Sequence, residues 1–275
     1  MTVKTKRPPV YTLPPAGSPA GLQLRDEFIS KLHAIIGGPD NMRLLWLPKM
    51  SDTTTTTSAE KDARTFTYAV SIAAKKSQLG SGVAVAFDGA ADYATVPDAD
   101  DFSFGNDVAD APFSIVGLVK TTASGTAKSI LDKRNAGAAR EWEYKVDATT
   151  GFHASQLYSL AAATNIIGRV TGADITGSWK LLSMTYDGTR GESGLSNFTG
   201  SARSDAGTAG ANPLSYVAMT PGTAVVTLGC RASDTPSQFF LGSMALVMLV
   251  ARQLYQDEIA AITYGCNGFF NLALT

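Results

Sequence analysis

From residue 83 onward, the chain consists of short apolar segments separated by turn residues. Two of the turns, Asp88-Gly89 and Asp187-Gly188, supply the positive-φ glycine that tight hairpins need. Short strands at such spacings are typical of a two-sheet antiparallel sandwich. The pattern therefore predicts an all-β fold. The apolar segments are 83–87, 113–120, 128–133, 142–146, 166–170, 179–186, 224–230 and 239–250.

Length and charge limit the class of protein further. The chain has 275 residues, of which 44% are hydrophobic and 17% charged, which suits one large sandwich with an appendage. Its 23 basic and 24 acidic side chains nearly cancel, so we expect neither nucleic acid nor a membrane surface as a partner.

The longest apolar run, 244–251, is far shorter than the ~20 residues of a membrane span. The basic N-terminus has no apolar secretory core, which predicts a product that starts in the cytoplasm.

The first 80 residues have a different character. Residues 1–25 contain four basic side chains and no acid, and residues 1–21 contain five prolines, which favour an extended path. Leu24, Phe28 and Leu32 then form one apolar stripe of a helix predicted over 23–36, which Gly37-Gly38-Pro39 ends.

A lone helix of this length is marginal in water, so its stripe must pack on something. Residues 43–48 and 65–72 are predicted as strands, and the polar run 51–58 as a link. The sequence predicts an N-terminal docking arm over 1–80 and a sandwich over 81–275. The predicted partner-docking residues are Pro8, Pro9, Tyr11, Leu24, Phe28 and Leu32.

Several segments, taken in order, resemble one known superfamily. They are VAFDGAADYATVPDADDFSF at 85–104, FSIVGLVK at 113–120, GSWKLLSMTYDG at 177–188 and ARQLYQDEIAAI at 251–262. Together they are similar to the concanavalin A-like lectin/glucanase superfamily, and within it to laminin G-like domains. The resemblance implies an antiparallel two-sheet jelly roll, with a short helix over 257–264 near the end of the chain.

Some members of that superfamily are glycosidases with a Glu-x-Asp-x-Glu strand. The nearest pattern here is Glu141-Trp142-Glu143-Tyr144-Lys145, in which a lysine replaces the third carboxylate. The acid/base pair that glycoside hydrolysis requires therefore cannot be drawn, and we expect a solvent-facing strand edge. Neither histidine of the sequence lies near a nucleophile motif. The chain is therefore predicted not to be an enzyme.

An aspartate-rich turn raises the question of a metal. Asp98, Asp100 and Asp101 lie together, with Asp92 and Asp107 nearby. Hard carboxylate oxygens suit Ca²⁺, but aspartate is also common in turns, so both interpretations stay open and no cofactor is predicted.

The sequence contains two cysteines, Cys230 and Cys266. They are interpreted as buried free thiols in preference to a disulfide.

Two functions fit these features. The first is a non-enzymatic structural protein of a bacteriophage virion, either capsid decoration or tail-associated. It would assemble in the host cytoplasm as a homo-oligomer, be anchored to other virion proteins by its arm and display a lectin-like sandwich that binds host glycans. The alternative is a carbohydrate-binding module of a bacterial surface or secreted protein. The candidate sugar contacts are Trp142, Tyr144, Tyr158 and Arg169, although aromatic residues on strands are often core.

Overall fold

The computed structural model describes residues 14–58, 63–122, 125–134, 140–147, 151–159, 165–172, 174–208, 213–231 and 235–274. Over these residues the chain forms two antiparallel sheets and two α-helices, which confirms the predicted all-β sandwich. The predicted docking residues Pro8, Pro9 and Tyr11 lie outside the described residues.

The elements follow one another along the chain as follows. They are α1 Pro19–Ile35, β1 Met42–Trp46, β2 Thr55–Thr57, β3 Thr65–Tyr68, β4 Lys76–Leu79, β5 Gly82–Asp88, β6 Ala94–Val96, β7 Phe113–Thr121, β8 Lys128–Arg134, β9 Arg140–Val146, β10 His153–Tyr158, β11 Ile166–Thr171, β12 Lys180–Tyr186, β13 Leu195–Thr199, β14 Ala202–Arg203, β15 Asp205–Thr208, β16 Val226–Leu228, β17 Leu241–Val250 and α2 Gln256–Phe270.

Within the described residues, one sheet has eight strands in the order β14-β13-β12-β7-β17-β5-β4, with β1 also paired to β17. We call it the back sheet. The other, which we call the front sheet, has nine strands in the order β15-β11-β10-β9-β8-β16-β6-β3-β2. The ten-residue strand β17 is long enough to pair with β5 along its first half and with β1 along its second half.

The back sheet is buried on both faces. Its inner face packs against the front sheet in a core that contains Trp46, Phe113 and Trp142. Its outer face is covered by α1 and α2, whose Phe28 and Phe269 rings stack with centroids 4.5 Å apart. Strand β12 is therefore buried on both sides.

Helix α1 is attached to its own chain at both ends. The Ser18 hydroxyl accepts from the Gly21 N–H at 3.1 Å, and Pro19 occupies the first turn, so the helix begins four residues earlier than predicted. At the other end, the Arg252 guanidinium donates to the carbonyls of Ile35 and Ile36 at 3.0 and 2.7 Å. These bonds satisfy carbonyls that the helix leaves unpaired.

The predicted docking role of the helix stripe is corrected by this packing. Phe28 and Leu32 are buried against α2 and the back sheet of the same chain, and Leu24 packs at the edge of the same cluster. Because α2 lies more than 220 residues further along the chain, sequence spacing could not identify it as the partner.

The predicted division near residue 80 is also corrected. Residues 42–79 contribute β1 and β4 to the back sheet and β2 and β3 to the front sheet. Strand β2 lies inside the run predicted as a polar link. Its β-branched threonines favour extended structure, and Thr56 is buried with its hydroxyl 2.8 Å from that of Tyr68.

Helix α2 is longer than predicted. It begins one residue earlier and continues to Phe270, with Ile259 and Ile262 buried. Its N-cap is Tyr255, whose N–H donates to the Glu258 carboxylate at 2.8 Å. Neither helix in the described part of the chain is long and apolar enough to cross a bilayer.

Candidate functional site

A continuous row of polar side chains crosses the front sheet on its outward face. Each member is the direct cross-strand partner of the next, and their strand neighbours Phe66, Ala94, Leu228 and Leu157 point into the core. Because side chains alternate along a strand, the row faces away from the sandwich interior. We call it the polar row; its members are Thr55, Thr67, Thr95, Thr227, Asp132, Glu143 and Gln156.

The polar row changes from open to buried along its length. Neighbouring strands are ~4.8 Å apart, so the row spans roughly 29 Å. Thr55 and Thr67 are exposed and Thr95 is half-buried, whereas Asp132 and Glu143 are fully buried. The threonine end is therefore accessible to a ligand in solution, and the carboxylate end lies deeper in the protein.

Two aromatic rings lie beside the threonine end. Tyr93 precedes Thr95 by two residues, and its ring centroid is 6.1 Å from that of Phe239. Both side chains are half-buried, so each exposes part of an apolar ring. The two ring planes are inclined by 50°, so the pair provides an angled apolar surface close in sequence to the Thr95 hydroxyl.

The buried end of the row is organised around Glu143. Its carboxylate lies 3.1 Å from Arg134 Nη1, 3.2 Å from Lys145 Nζ and 3.6 Å from Arg231 Nε. The Tyr158 hydroxyl donates to it at 2.7 Å. Burial raises the pKa of Glu143, but the charges of the three basic side chains outweigh burial and hold it below its ordinary value. Glu143 is therefore an ionised, fully paired carboxylate.

Glu141 has a separate set of partners. It forms an ion pair with Lys133, and it accepts from the Ser103 hydroxyl at 3.1 Å and from the Gly222 N–H at 3.0 Å. Burial raises the pKa of Glu141, and the Lys133 charge opposes the rise. The expected solvent-facing edge is wrong, because both glutamates are buried beneath partners from distant segments.

Three of the four predicted sugar contacts are buried. Trp142 is fully buried, and its indole N–H donates to the Phe102 carbonyl at 3.0 Å. The Tyr144 hydroxyl is 2.8 Å from His153 inside the sandwich. Tyr158 is buried against Glu143. Arg169 on β11 is half-buried, and its Nε donates to the Glu192 carbonyl at 2.9 Å.

The polar row could be found only in part from the sequence. Single threonines between apolar residues, as in Ala94-Thr95-Val96 and Val226-Thr227-Leu228, indicate outward positions. The register that aligns seven strands depends on pairings between segments far apart in the chain. No local pattern contains that information.

The aspartate-rich turn is neutralised by the protein's own cations. Asp101 accepts two bonds from Arg64 at 2.9 and 3.0 Å, and Asp98 lies 3.1 Å from Lys133. Lys75 forms an ion pair with the buried Asp92. Within the described ranges, no three His, Cys, Asp or Glu side chains are grouped to hold a metal. Asp92, Asp98 and Asp101 therefore have cationic partners within the protein.

The two cysteines are free and buried, as the favoured interpretation predicted. Burial raises the pKa of Cys230 to about 12 and raises that of Cys266 further. At neutral pH both are therefore unreactive thiols.

Comparisons with known proteins show a likeness of fold. No family model matches the chain, and no curated protein sequence matches it. The ligand-binding domain of botulinum neurotoxin serotype D, in complex with N-acetylneuraminic acid, superposes with a TM-score of 0.57 at 9% identity, over 84% of this chain and 52% of that one.

Two further toxin domains superpose in the same way. The binding domain of Paraclostridial Mosquitocidal Protein 1 has a TM-score of 0.57 at 8% identity, over 82% of this chain and 52% of that one. The binding domain of botulinum neurotoxin serotype G has a TM-score of 0.56 at 10% identity, over 82% of this chain and 51% of that one. The chain thus spans about half the length of these structures. At such identities the likeness defines a β-sandwich of the kind found in toxin binding domains, and nothing finer.

Proposed function

We propose that this chain is a non-enzymatic glycan-binding module and that the polar row is its binding surface. The observation that carries the proposal is the alignment of hydroxyl, carboxylate and amide side chains across seven strands, with an aromatic pair beside the open end. Thr55, Thr67 and Thr95 are the accessible threonines of the row, so sugars would bind at this open end.

The chemistry of the row suits sugars. Threonine hydroxyls both donate and accept hydrogen bonds, as sugar hydroxyls do. The apolar face of a sugar ring can pack on Tyr93 and Phe239, and tyrosine combines apolar area with a polar group. One toxin neighbour was solved with N-acetylneuraminic acid and another with SialylT. Because about half of each toxin domain is unmatched, the proposal rests on the polar row and not on the likeness.

The geometry of the two glutamates supports a role without catalysis. Their environments move the pKa of Glu141 up and that of Glu143 down, as in an acid and nucleophile pair. However, both side chains have no exposed surface, and Lys133, Arg134 and Lys145 hold their oxygens in ion pairs. A glycosidic bond would have to displace these partners before it could be cleaved.

The test is a glycan array probed with the full chain, followed by variants of the open end. We expect Tyr93→Ala, Phe239→Ala and the double variant Thr67→Val with Thr95→Val each to weaken glycan binding at least fivefold. Tyr264→Ala is the control, since Tyr264 is 82% exposed on α2, behind the other sheet. Binding that survives all three changes, or release of sugar from a bound glycan, would contradict the proposal.

We also propose that the chain works in a bacteriophage virion, as capsid decoration or tail-associated protein, assembled in the host cytoplasm as a homo-oligomer. Support comes from the basic, proline-rich composition of residues 1–13 and from an apolar groove of about 550 Å³ between α1 and α2. Residues 1–13 and this groove would dock on other virion proteins. The concanavalin A-like resemblance stays a prediction beside this role.

Deleting residues 1–13 tests the virion role. We expect particles to lose the protein while its melting temperature stays unchanged. Particles that keep the shortened protein would contradict the docking role of residues 1–13. A protein found on bacterial surfaces and never in particles would favour a carbohydrate-binding module of a surface or secreted protein.

A further inference from the structure

We propose that the apolar groove between α1 and α2 binds residues 1–13 of a second copy of this chain, so that copies assemble by exchanging these segments. The inference rests on the proposed homo-oligomer and names the contact that builds it. We call this groove the helix groove. It has a volume of about 550 Å³, and its lining includes Leu24, Phe28, Ile35, Tyr264, Gly268 and Phe269.

The helix groove combines aromatic rings with residues that have no side chain. Phe28 and Phe269 stack with centroids 4.5 Å apart, and Tyr264 is 82% exposed. Gly265 and Gly268 of α2 also line the groove, and a Cβ at Gly268 would meet no atom of the described chain within 4 Å. Because glycine lets another backbone come close, an extended segment can lie against α2.

Residues 1–13 have the composition that a groove of this kind binds. Pro8 and Pro9 are adjacent, and Val10, Tyr11 and Leu13 follow them. Proline-rich segments in the polyproline II conformation dock in grooves lined by aromatic side chains, and they lose little entropy because the conformation is preformed. The match between a proline-rich, apolar segment and an aromatic groove identifies these residues as the occupant.

The charges of the two surfaces are complementary. Residues 1–13 contain two lysines, one arginine and no acid. On the described helices α1 and α2, Asp26, Glu27 and Asp257 are exposed, against one exposed basic residue, Lys31. Glu27 lines the helix groove itself. Opposite charges steer two surfaces together and favour one partner over others, so a basic segment fits this face.

The position where residues 1–13 join the fold indicates that the occupant comes from a second copy. The chain enters α1 through a turn in which the Ser18 N–H donates to the Pro15 carbonyl at 3.1 Å. Ala16 and Gly17 of this turn line a different cavity, of about 470 Å³, together with Leu47. The chain's own segment therefore starts beside that cavity, and we assign the helix groove to the segment of a neighbouring copy.

The segment is long enough to fill the groove of a neighbour. In the polyproline II conformation 13 residues span ~40 Å, whereas the 17 residues of α1 extend over ~26 Å. Exchange of an identical segment between copies is a low-cost route to an oligomer, because each copy gives and receives the same contact.

The experiment is analytical ultracentrifugation of the full chain over a concentration series, compared with a chain lacking residues 1–13 and with Gly268→Leu. We expect each change to weaken self-association at least tenfold. Leucine at position 268 fills the groove and favours helix more than glycine does, so the variant should keep its fold, which its circular dichroism melt checks. Ser30→Leu adds the same side chain at an exposed position of α1 outside the groove lining and should change association less than twofold.

Mixing the two weakened proteins is the sharper test. The shortened chain keeps a free groove and Gly268→Leu keeps its segment, so an equimolar mixture should form a complex of one chain of each, although neither protein associates alone. Changing Lys4, Lys6 and Arg7 together to glutamate in the Gly268→Leu chain should prevent this complex, because the segment then repels the acidic helices.

The outcomes separate this inference from the proposed function. A wild-type oligomer that survives both changes overturns the inference and leaves the homo-oligomer intact. An oligomer lost on deletion but kept in Gly268→Leu overturns the role of the helix groove. A monomeric wild type overturns the inference and the homo-oligomer together; a labelled peptide of residues 1–13 that then binds only the shortened chain assigns the groove to the chain's own segment. Glycan binding should not change in Gly268→Leu, because the polar row lies on the other sheet.

Discussion

The hydroxyl of Tyr144 lies 2.8 Å from Nδ1 of His153, and both side chains are sealed between the two sheets. On its other side, His153 Nε2 is 3.1 Å from the Thr199 hydroxyl of the back sheet. A neutral imidazole thus links a front-sheet tyrosine to the opposite layer. The closest polar partners of the ring are hydroxyl groups, which do not compensate a positive charge there.

This arrangement predicts a loss of stability in acid. Burial lowers the pKa of His153 to about 3, whereas the unfolded chain has the ordinary value of about 6.5. Below pH 6.5 the unfolded state binds a proton that the folded state does not. The contribution of His153 to the free energy of unfolding is therefore fully present above pH 6.5. It decreases by on the order of 4 kcal/mol as the pH falls toward 3.

The measurement is urea unfolding at pH 7 and pH 4 for the wild type and His153→Gln. We expect the variant to lose less stability between the two pH values. His33→Gln serves as the control, since His33 is only half-buried on α1. Equal pH dependence in the wild type and His153→Gln would show that other groups govern acid unfolding.

Helix α1 is predicted to be part of the chain's own core. Phe28→Ala removes a ring stacked on Phe269, and we expect a loss of about 3–5 kcal/mol in the free energy of unfolding. Leu22→Ala on the same helix, where the side chain is 44% exposed, should cost less than about 1 kcal/mol. Guanidinium unfolding measures both. A Phe28→Ala variant as stable as the wild type would contradict the core assignment and favour a docking role for Phe28.

Glu143 is predicted to stabilise the fold by holding three cations together. Glu143→Gln leaves Arg134, Lys145 and Arg231 without their shared counterion, and we expect a loss of about 3–5 kcal/mol. Glu27→Gln, on the exposed side of α1, is the matched control and should change stability by no more than about 0.5 kcal/mol. Thermal unfolding of both variants decides the matter, and equal melting temperatures would contradict the prediction.

The left-handed backbone at Gln238 predicts different stabilities for two small replacements. Gln238→Gly and Gln238→Ala both remove the amide, but only glycine accepts a φ of +52° without strain. We expect the glycine variant to be about 1 kcal/mol more stable than the alanine variant. Equal stabilities in chemical denaturation would mean that the backbone relaxes at this position.

Much of the fold could be predicted from local patterns. The apolar segments at 113–120, 128–133 and 179–186 correspond closely to β7, β8 and β12, because their alternation and length specify strands directly. Gly89 and Gly188 have φ values of +76° and +81°, as their turns require. Strand β2 was missed because its threonines contain no apolar signal, although β-branching favours extended chain.

Much less of the candidate site than of the fold could be predicted from the sequence. Glu141 and Glu143 were interpreted as exposed because charged residues usually lie at the surface. Their burial depends on Lys133, Arg134 and Arg231, which reach them from other strands and loops. Trp142 and Tyr144 were candidate sugar contacts, but the direction in which β9 faces makes them core. A shift of one residue in register would have exchanged the two faces.

The amino-acid sequence by itself therefore determined the class of fold, since strand length, alternation and turn residues are local properties. Only the tertiary structure decided which outward side chains line up. The polar row exists because β2, β3, β6, β16, β8, β9 and β10 pair in one particular order and register. That order is set by the packing of two cores over the whole chain, and no single segment contains it.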